Sequence, residues 1–166
     1  MTVILVMGVA GSGKSTVGQR LGEALGWPFI DGDDHHPPAN VAKMSAGIPL
    51  DDEDRWPWLR RLHELMAEAD RDGRSVVIAS SALKQRYRDM LAGDLADERV
   101  VYLRGDFDLL MERLSTRRGH FMKPQMLHSQ MAALEEPDHA LVLDVARPVD
   151  DIVTEVVRWV TGKDGA

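Results

Sequence analysis

The chain has 166 residues, of which 44% are hydrophobic and 28% charged, and its formal net charge is −7 at pH 7. This length favours one domain with a core large enough to fold unaided. The negative charge argues against nucleic acid as a partner, since no surplus of basic residues is available to displace counterions. A local basic cleft for a small phosphorylated ligand remains compatible with this balance.

The sequence contains no cysteine, which excludes disulfides, thiolate catalysis and cysteine-based zinc sites. No apolar run approaches the roughly 20 residues that a membrane helix needs, so we expect no membrane partner. The N-terminal residues lack the basic region and the cleavage site of a signal peptide. We therefore expect a cytoplasmic protein.

Short β-branched segments alternate with longer helical patterns along the chain, as in a parallel α/β sheet. Residues 2–7, TVILVM, are apolar throughout, as expected for a strand buried on both faces. Further strand candidates are 27–30, 75–80, 99–104 and 140–145, and helical patterns cover 14–25, 38–46, 51–71, 83–92, 106–117, 124–135 and 149–161. Asp51 offers an N-cap for the third helix, with Asp54 as its capping-box partner. We expect an α/β fold with a five-stranded parallel sheet in one domain, 1–166.

Two segments interrupt this alternation. Residues 31–50 contain three prolines and mix charged with small side chains, and residues 117–125, RRGHFMKPQ, are basic with one glycine and one proline. Such insertions in α/β domains are usually binding lobes or mobile lids. We expect a substrate-binding segment over about residues 31–70 and a lid over about residues 117–130.

The stretch from Gly8 to Ser15, GVAGSGKS, fits the pattern G-x-x-x-x-G-K-[ST] at every required position. The glycines let backbone N–H groups converge on phosphate oxygens, and the following helix adds the positive end of its dipole. Lys14 supplies a charge to the β- and γ-phosphates, and the Ser15 hydroxyl is placed to bind magnesium. A dinucleotide site is disfavoured because Thr16 occupies its third glycine position. The motif predicts a nucleoside triphosphate site.

Two classes of phosphate-loop protein are disfavoured. A GTPase would need an N-K-x-D motif, but the only asparagine, Asn40, is followed by valine. A motor ATPase usually has an acidic magnesium contact at the end of an apolar strand, whereas the strand candidate 75–80 ends in serine. The nearest acidic supply for that contact is the stretch 31–40, DGDDHHPPAN.

Asp31 and Asp33 follow the second strand candidate directly, so we expect them at the sheet edge that carries the phosphate loop. One of these carboxylates can face the metal ion while the other faces an acceptor hydroxyl. A calcium loop does not fit, because His35 and His36 occupy its last two positions. Taken alone, the stretch is also compatible with a solvated acidic turn.

Basic residues are predicted near the same edge. Arg55 lies in the first turn of a helix, and Lys84 and Arg88 lie one helical turn apart after the third strand candidate. With His36 and Lys43, they would suit an acceptor that carries a carboxylate and several hydroxyls. Each of them alone could be a surface charge, and we expect Tyr87 to be a packing residue.

Arg113 and Arg117 lie at positions i and i+4 and lead into the predicted lid. A mobile arginine that closes over the phosphates would neutralise developing charge. The two residues are equally compatible with a basic helix C-terminus that complements the helix dipole.

Together these residues resemble the gluconate kinase (gluconokinase) family of P-loop small-molecule kinases, related to shikimate and adenylate kinases. The resemblance is carried by MGVAGSGKS, by DGDxxHPxxNxxKMxxGxPLxDxDRxPWL over 31–59, by SALKxxYRDxL over 81–91 and by YLRGDFDLLxxRLxxRxGHFM over 102–122. It implies the P-loop kinase fold and phosphorylation of the 6-hydroxyl of D-gluconate by ATP with Mg²⁺. The alternatives are another small-molecule kinase, with shikimate or a nucleotide as acceptor, and a non-catalytic ATP-binding module.

The resemblance also assigns roles to individual residues. Lys14, Asp33 and Arg117 would be catalytic, and Asp31 with Ser15 would hold the Mg²⁺. The residues implied for ATP binding are Gly8, Gly11, Ser12, Gly13, Lys14, Ser15 and Thr16, with Arg113 and Pro148 beside the adenine. Those implied for D-gluconate are Asp33, His36, Arg55, Lys84 and Arg88. Relatives are often dimeric, which makes a homodimer the assembly to test.

Overall fold

The computed structural model describes residues 1–116 and 124–162, and it confirms the predicted five-stranded parallel sheet. The strands are β1 (Val3–Met7), β2 (Phe29–Asp31), β3 (Val76–Ala79), β4 (Glu98–Arg104) and β5 (Ala140–Asp144). Their order across the sheet is β2-β3-β1-β4-β5, with every neighbouring pair parallel. The central strand β1 is buried along its whole length, as its apolar sequence predicts.

Helices separate the strands, because each parallel pair needs a crossover connection. They are α1 (Lys14–Leu25), α2 (Pro38–Ser45), α3 (Asp52–Arg71), α4 (Gln85–Ala92), α5 (Phe107–Thr116), α6 (Pro124–Ala133) and α7 (Val149–Thr161), with a short 3-10 helix over Gly32–His35. The predicted capping box opens α3: the Asp51 carboxylate accepts from the Asp54 N–H, and the Asp54 carboxylate accepts from the Asp51 N–H. Each α-helix agrees closely with its predicted range.

The sheet divides the hydrophobic core into two layers, because successive side chains of a strand point to opposite faces. On one face, Ile4 and Val6 of β1 pack with residues of α1, α5 and α7. On the other face, Val3, Leu5 and Met7 pack with residues of α3 and α4. This arrangement leaves the loops at the carboxyl ends of the strands free to form a site.

Part of the predicted lid lies outside the described residues, since 117–123 fall in the gap between α5 and α6. The remainder of the predicted range belongs to the helix α6. Within residues 1–116 and 124–162, no helix combines the length and the apolar character needed to cross a membrane.

Candidate active site

The phosphate loop connects β1 to α1 and favours glycine at two of its positions. Gly13 adopts φ = +89°, in the left-handed region, and a β-carbon there would have no heavy atom within 4 Å. At Gly8 a β-carbon would lie 2.6 Å from Ser12 Oγ and 2.9 Å from the Leu103 carbonyl oxygen, so only glycine fits. The loop leads into the N-terminus of the 12-residue helix α1, where backbone N–H groups are available to an anion.

The predicted ATP-binding residues divide into two groups. Lys14 and Ser15 line a cleft together with Gly11 and Gly13, whereas Gly8, Ser12 and Thr16 are not among the residues that line it. The Ser12 side chain is buried, and its hydroxyl has no hydrogen-bond partner within the described part of the chain. Gly8, Ser12 and Thr16 would therefore contribute to a phosphate site through the backbone conformation of the loop and not through their side chains.

Ser15 and Asp31 form the candidate magnesium site. The Ser15 hydroxyl donates a hydrogen bond of 2.7 Å to Asp31 Oδ2, which joins the phosphate loop to the end of β2. A hydroxyl and a carboxylate are ligands that Mg²⁺ accepts, and Mg²⁺ usually takes its other ligands from water and phosphate. The pair therefore fits the predicted metal.

The cleft has a volume of about 1280 Å³ and runs from the phosphate loop towards α2 and α3. Its lining includes four of the predicted acceptor residues, Asp33, His36, Arg55 and Lys84. Asp33 is exposed, whereas His36, Arg55 and Lys84 are half-buried. The tertiary structure thus brings one carboxylate and three basic or hydrogen-bonding side chains to the same cavity as Lys14.

Arg55 is oriented by Tyr87, whose side chain is also buried in the core, as predicted. Its guanidinium donates to the Tyr87 hydroxyl at 3.1 Å and lies 5.2 Å from the centre of the Tyr87 ring. The Tyr87 hydroxyl donates in turn to Asp52, which is also paired with Arg86. Burial, followed by this bond to Asp52, raises the pKa of Tyr87, so the phenol stays protonated. Both Tyr87 and Asp52 line the cleft.

His36 is held against Trp58. The two rings stack with their centroids 4.0 Å apart and their planes 17° from parallel, and Trp58 Nε1 donates to the Gly32 carbonyl at 2.8 Å. Burial lowers the pKa of His36, Asp33 opposes this shift, and Arg55 adds to it. We therefore treat the ring as neutral near pH 7.

Arg88 lies away from the cleft, in contrast to the prediction that it contacts the acceptor. Its side chain is 3% exposed and donates to the carbonyls of Ala82 and Glu135, both at 2.7 Å, and to Gln85 Oε1 at 3.1 Å. The i, i+4 argument does not apply because Lys84 is the N-cap of α4, with extended backbone angles. Lys84 therefore lines the cleft while Arg88 points into the protein.

The two residues predicted beside the adenine are both associated with the segment between β5 and α7. Arg113 in α5 donates to the Val145 carbonyl, and Pro148 is the N-cap of α7 three residues later. The predicted lid arginine, Arg117, lies outside the described residues.

Gln130 is a cleft residue to which the sequence patterns assign no role. Its Oε1 accepts a hydrogen bond of 2.8 Å from the backbone N–H of Ala10, which ties α6 to the phosphate loop. Gln130 lines the cleft together with Met126 and Ser129 from the same helix. A glutamine on a helix has many structural explanations, so only the tertiary contact identifies this one.

Comparison with known proteins places this site in a family. Residues 10–161 match the model of the shikimate kinase family. The chain is 48% identical to a probable gluconokinase of Rattus norvegicus, an alignment that covers 94% of this chain and 96% of that protein. It belongs to the gluconokinase family. This confirms the resemblance drawn from the motifs.

Two further gluconokinases support the assignment. The thermoresistant gluconokinase of Escherichia coli (strain K12) is 40% identical, over 94% of this chain and 91% of that protein. The crystal structure of a gluconokinase from Sinorhizobium meliloti 1021 is 40% identical with a TM-score of 0.85, and covers 99% of this chain and 98% of that one. The chain is thus a P-loop kinase of the gluconokinase family, and membership implies that it uses a nucleotide.

Proposed function

We propose that this kinase transfers the γ-phosphoryl group of ATP to the 6-hydroxyl of D-gluconate, with Mg²⁺, to give 6-phosphogluconate and ADP. The observation that carries the proposal is the cleft that joins the phosphate loop to Asp33 and to the side chains of His36, Arg55 and Lys84. The gluconokinase names of relatives at 40–48% identity support gluconate as the acceptor.

The nucleotide end of the cleft would neutralise and position the phosphates. Backbone N–H groups at the start of α1 face the β- and γ-phosphates, and Lys14 adds a positive charge to them. The Ser15 hydroxyl and the Asp31 carboxylate would hold Mg²⁺, which would supply further neutralisation of charge on the phosphate oxygens. Arg117, by analogy with the family, would close over the same oxygens.

The acceptor end would orient the sugar acid and remove one proton. The Asp33 carboxylate accepts the proton of the 6-hydroxyl while the hydroxyl oxygen forms a bond to the γ-phosphorus. The bond from the γ-phosphorus to the bridging oxygen breaks, and the electron pair leaves with ADP. Arg55 and Lys84 hold the acceptor carboxylate, since a fork and a point charge both suit that group.

An ADP-release assay with gluconate, shikimate and AMP as separate acceptors tests the proposal. We expect turnover with gluconate alone, and ³¹P NMR of the product should show a phosphate ester at the 6-position. Turnover with shikimate or AMP instead would indicate a different small-molecule kinase, and turnover with none would indicate a non-catalytic ATP-binding module. A Lys14→Ala variant, purified in parallel, should lose the activity and so excludes a contaminating kinase.

A further inference from the structure

Asn40 lies on the buried side of His36 and contacts it directly. It is the third residue of α2, and its side chain is 3% exposed. Its amide nitrogen Nδ2 lies 2.8 Å from the Asp54 carbonyl oxygen in α3 and 3.2 Å from Nδ1 of His36. Asn40 therefore bridges a backbone carbonyl and an imidazole nitrogen.

The Asp54 carbonyl determines which way the Asn40 amide faces. A carbonyl oxygen only accepts hydrogen bonds, so the amide atom beside it must be the NH₂ group. That group carries two hydrogens: one is donated to the Asp54 carbonyl and the other is available to Nδ1 of His36. Nδ1 of His36 is therefore the acceptor in this contact.

A neutral imidazole carries one proton, and an accepting Nδ1 leaves that proton on Nε2. The ring itself is held in place by its stacking on Trp58. Since His36 lines the cleft and its Nδ1 is engaged on the buried side, Nε2–H is the donor that it can offer to a ligand.

We propose that Asn40 is a positioning residue that holds His36 in the Nε2–H tautomer, so that His36 donates a hydrogen bond to an oxygen of the acceptor. The assignment of that oxygen to a sugar acid rests on the proposed function, whereas the tautomer does not. The ligand must place a hydrogen-bond-accepting oxygen, of a carboxylate or a hydroxyl, at this point of the cleft.

A competing explanation is that Asn40 only ties α2 to α3. Lys43 provides the matched control, because it also joins these two helices, through an ion pair of 2.8 Å between its Nζ and Asp54 Oδ2. Lys43 is not among the cleft residues, and in the described structure its hydrogen bonds go to Asp54. A tether effect should appear in both variants, whereas a tautomer effect should appear only when Asn40 is changed.

The test is long-range ¹H–¹⁵N NMR of the protein labelled with ¹⁵N-histidine, in the absence of ligands and above pH 7. Loss of one signal set in a His36→Gln variant identifies His36. We expect the wild-type ring to show a protonated Nε2 and an unprotonated Nδ1. We expect Lys43→Met to keep this pattern, Asn40→Ala to show a mixture, and Asn40→Asp, with a carboxylate oxygen beside Nδ1, to move the proton to Nδ1.

Kinetics test the contact with the acceptor. Asn40→Ala should raise the KM for gluconate about tenfold, the effect of one weakened hydrogen bond, while the KM for ATP stays within about twofold. A protonated Nδ1 in the wild type, or an unchanged Nε2–H tautomer in both Asn40 variants, would overturn the proposal. An unchanged KM for gluconate would overturn the acceptor contact. If the protein phosphorylates no gluconate at all, the proposed function fails, yet the NMR spectra still decide the tautomer.

Discussion

The Ser15 hydroxyl and the Asp31 carboxylate are joined by a hydrogen bond of 2.7 Å, although they belong to α1 and β2. The other oxygen of the same carboxylate accepts the backbone N–H of Asp33 at 3.1 Å. Asp31 therefore connects the candidate metal site to the segment that carries the candidate base. One of its oxygens contacts the start of α1, and the other contacts the residue that would act as the base.

This pairing predicts a metal phenotype for Asp31. Asp31→Asn should raise the Mg²⁺ concentration needed for half-maximal activity by about 10- to 100-fold, because it weakens a group that holds the metal or its water. The measurement is the initial rate as a function of Mg²⁺ at constant ATP. Asp34→Asn is the control, since Asp34 is exposed in the 3-10 helix that follows Asp31 and is not among the cleft residues. An unchanged Mg²⁺ requirement would remove Asp31 from the metal site.

Replacement of the candidate base should separate catalysis from binding. Asp33→Asn should lower kcat by about 10²- to 10⁴-fold, because the amide cannot accept the hydroxyl proton. The Kd for ATP, measured by calorimetry, should stay nearly unchanged. A large loss of ATP affinity would instead place Asp33 on the nucleotide.

Arg55 and Arg86 form a matched pair around Tyr87, with their guanidinium carbons 5.2 and 5.5 Å from its ring centre. Arg55 lines the cleft and Arg86 does not. Arg55→Ala should therefore raise the KM for gluconate by about tenfold or more, as expected for a lost charge-assisted hydrogen bond. Arg86→Ala should leave that KM near the wild-type value. Equal effects in the two variants would indicate a general disturbance of Tyr87.

Arg88 should matter for stability and not for the acceptor. Arg88→Met leaves the carbonyls of Ala82 and Glu135 without their buried donor, so we expect a loss of about 2–4 kcal/mol in the free energy of unfolding. Urea denaturation measures this loss, with the exposed neighbour Arg86→Met as the control. A raised KM for gluconate without loss of stability would indicate that Arg88 contacts the acceptor.

The environment of Glu98 predicts that the free energy of unfolding falls as the pH rises. Burial raises its pKa to about 7, with Arg88 and His63 opposing the shift and Asp89 adding to it. The folded state therefore keeps a proton on Glu98 that the unfolded state releases near pH 4.5. The contribution of Glu98 to stability is fully present below pH 4.5 and is lost as the pH rises through 7.

Glu98→Gln should remove that loss. Between pH 5 and pH 8, the free energy of unfolding of the variant should rise by about 1–2 kcal/mol relative to that of the wild type. This is less than the full pKa shift of Glu98 implies, because solvent screens a half-buried carboxylate. Urea denaturation at several pH values measures the difference, which cancels contributions from the other titrating groups. Parallel curves for the two proteins would contradict the raised pKa.

Much of the site could be predicted because its signals are local. The phosphate loop is one continuous motif; Asp31 ends β2 and Asp33 follows it, and the end of that strand must lie at the same sheet edge. The contacts of Tyr87, Asn40 and Gln130 could not be predicted from local patterns. Each depends on a partner in another element: Tyr87 on Arg55, Asn40 on Asp54, and Gln130 on Ala10.

The sequence by itself determined the order of the elements, the phosphate loop and the family, because hydrophobic periodicity and ordered motifs act over a few residues. Only the tertiary structure decided which side chains face the cleft. Lys84 and Arg88 show the difference: they are four residues apart, yet an extended N-cap directs one to the cavity and the following helix buries the other. The direction of a side chain at the start of a helix depends on backbone angles that tertiary packing sets. The spacing of residues in the sequence does not predict these angles.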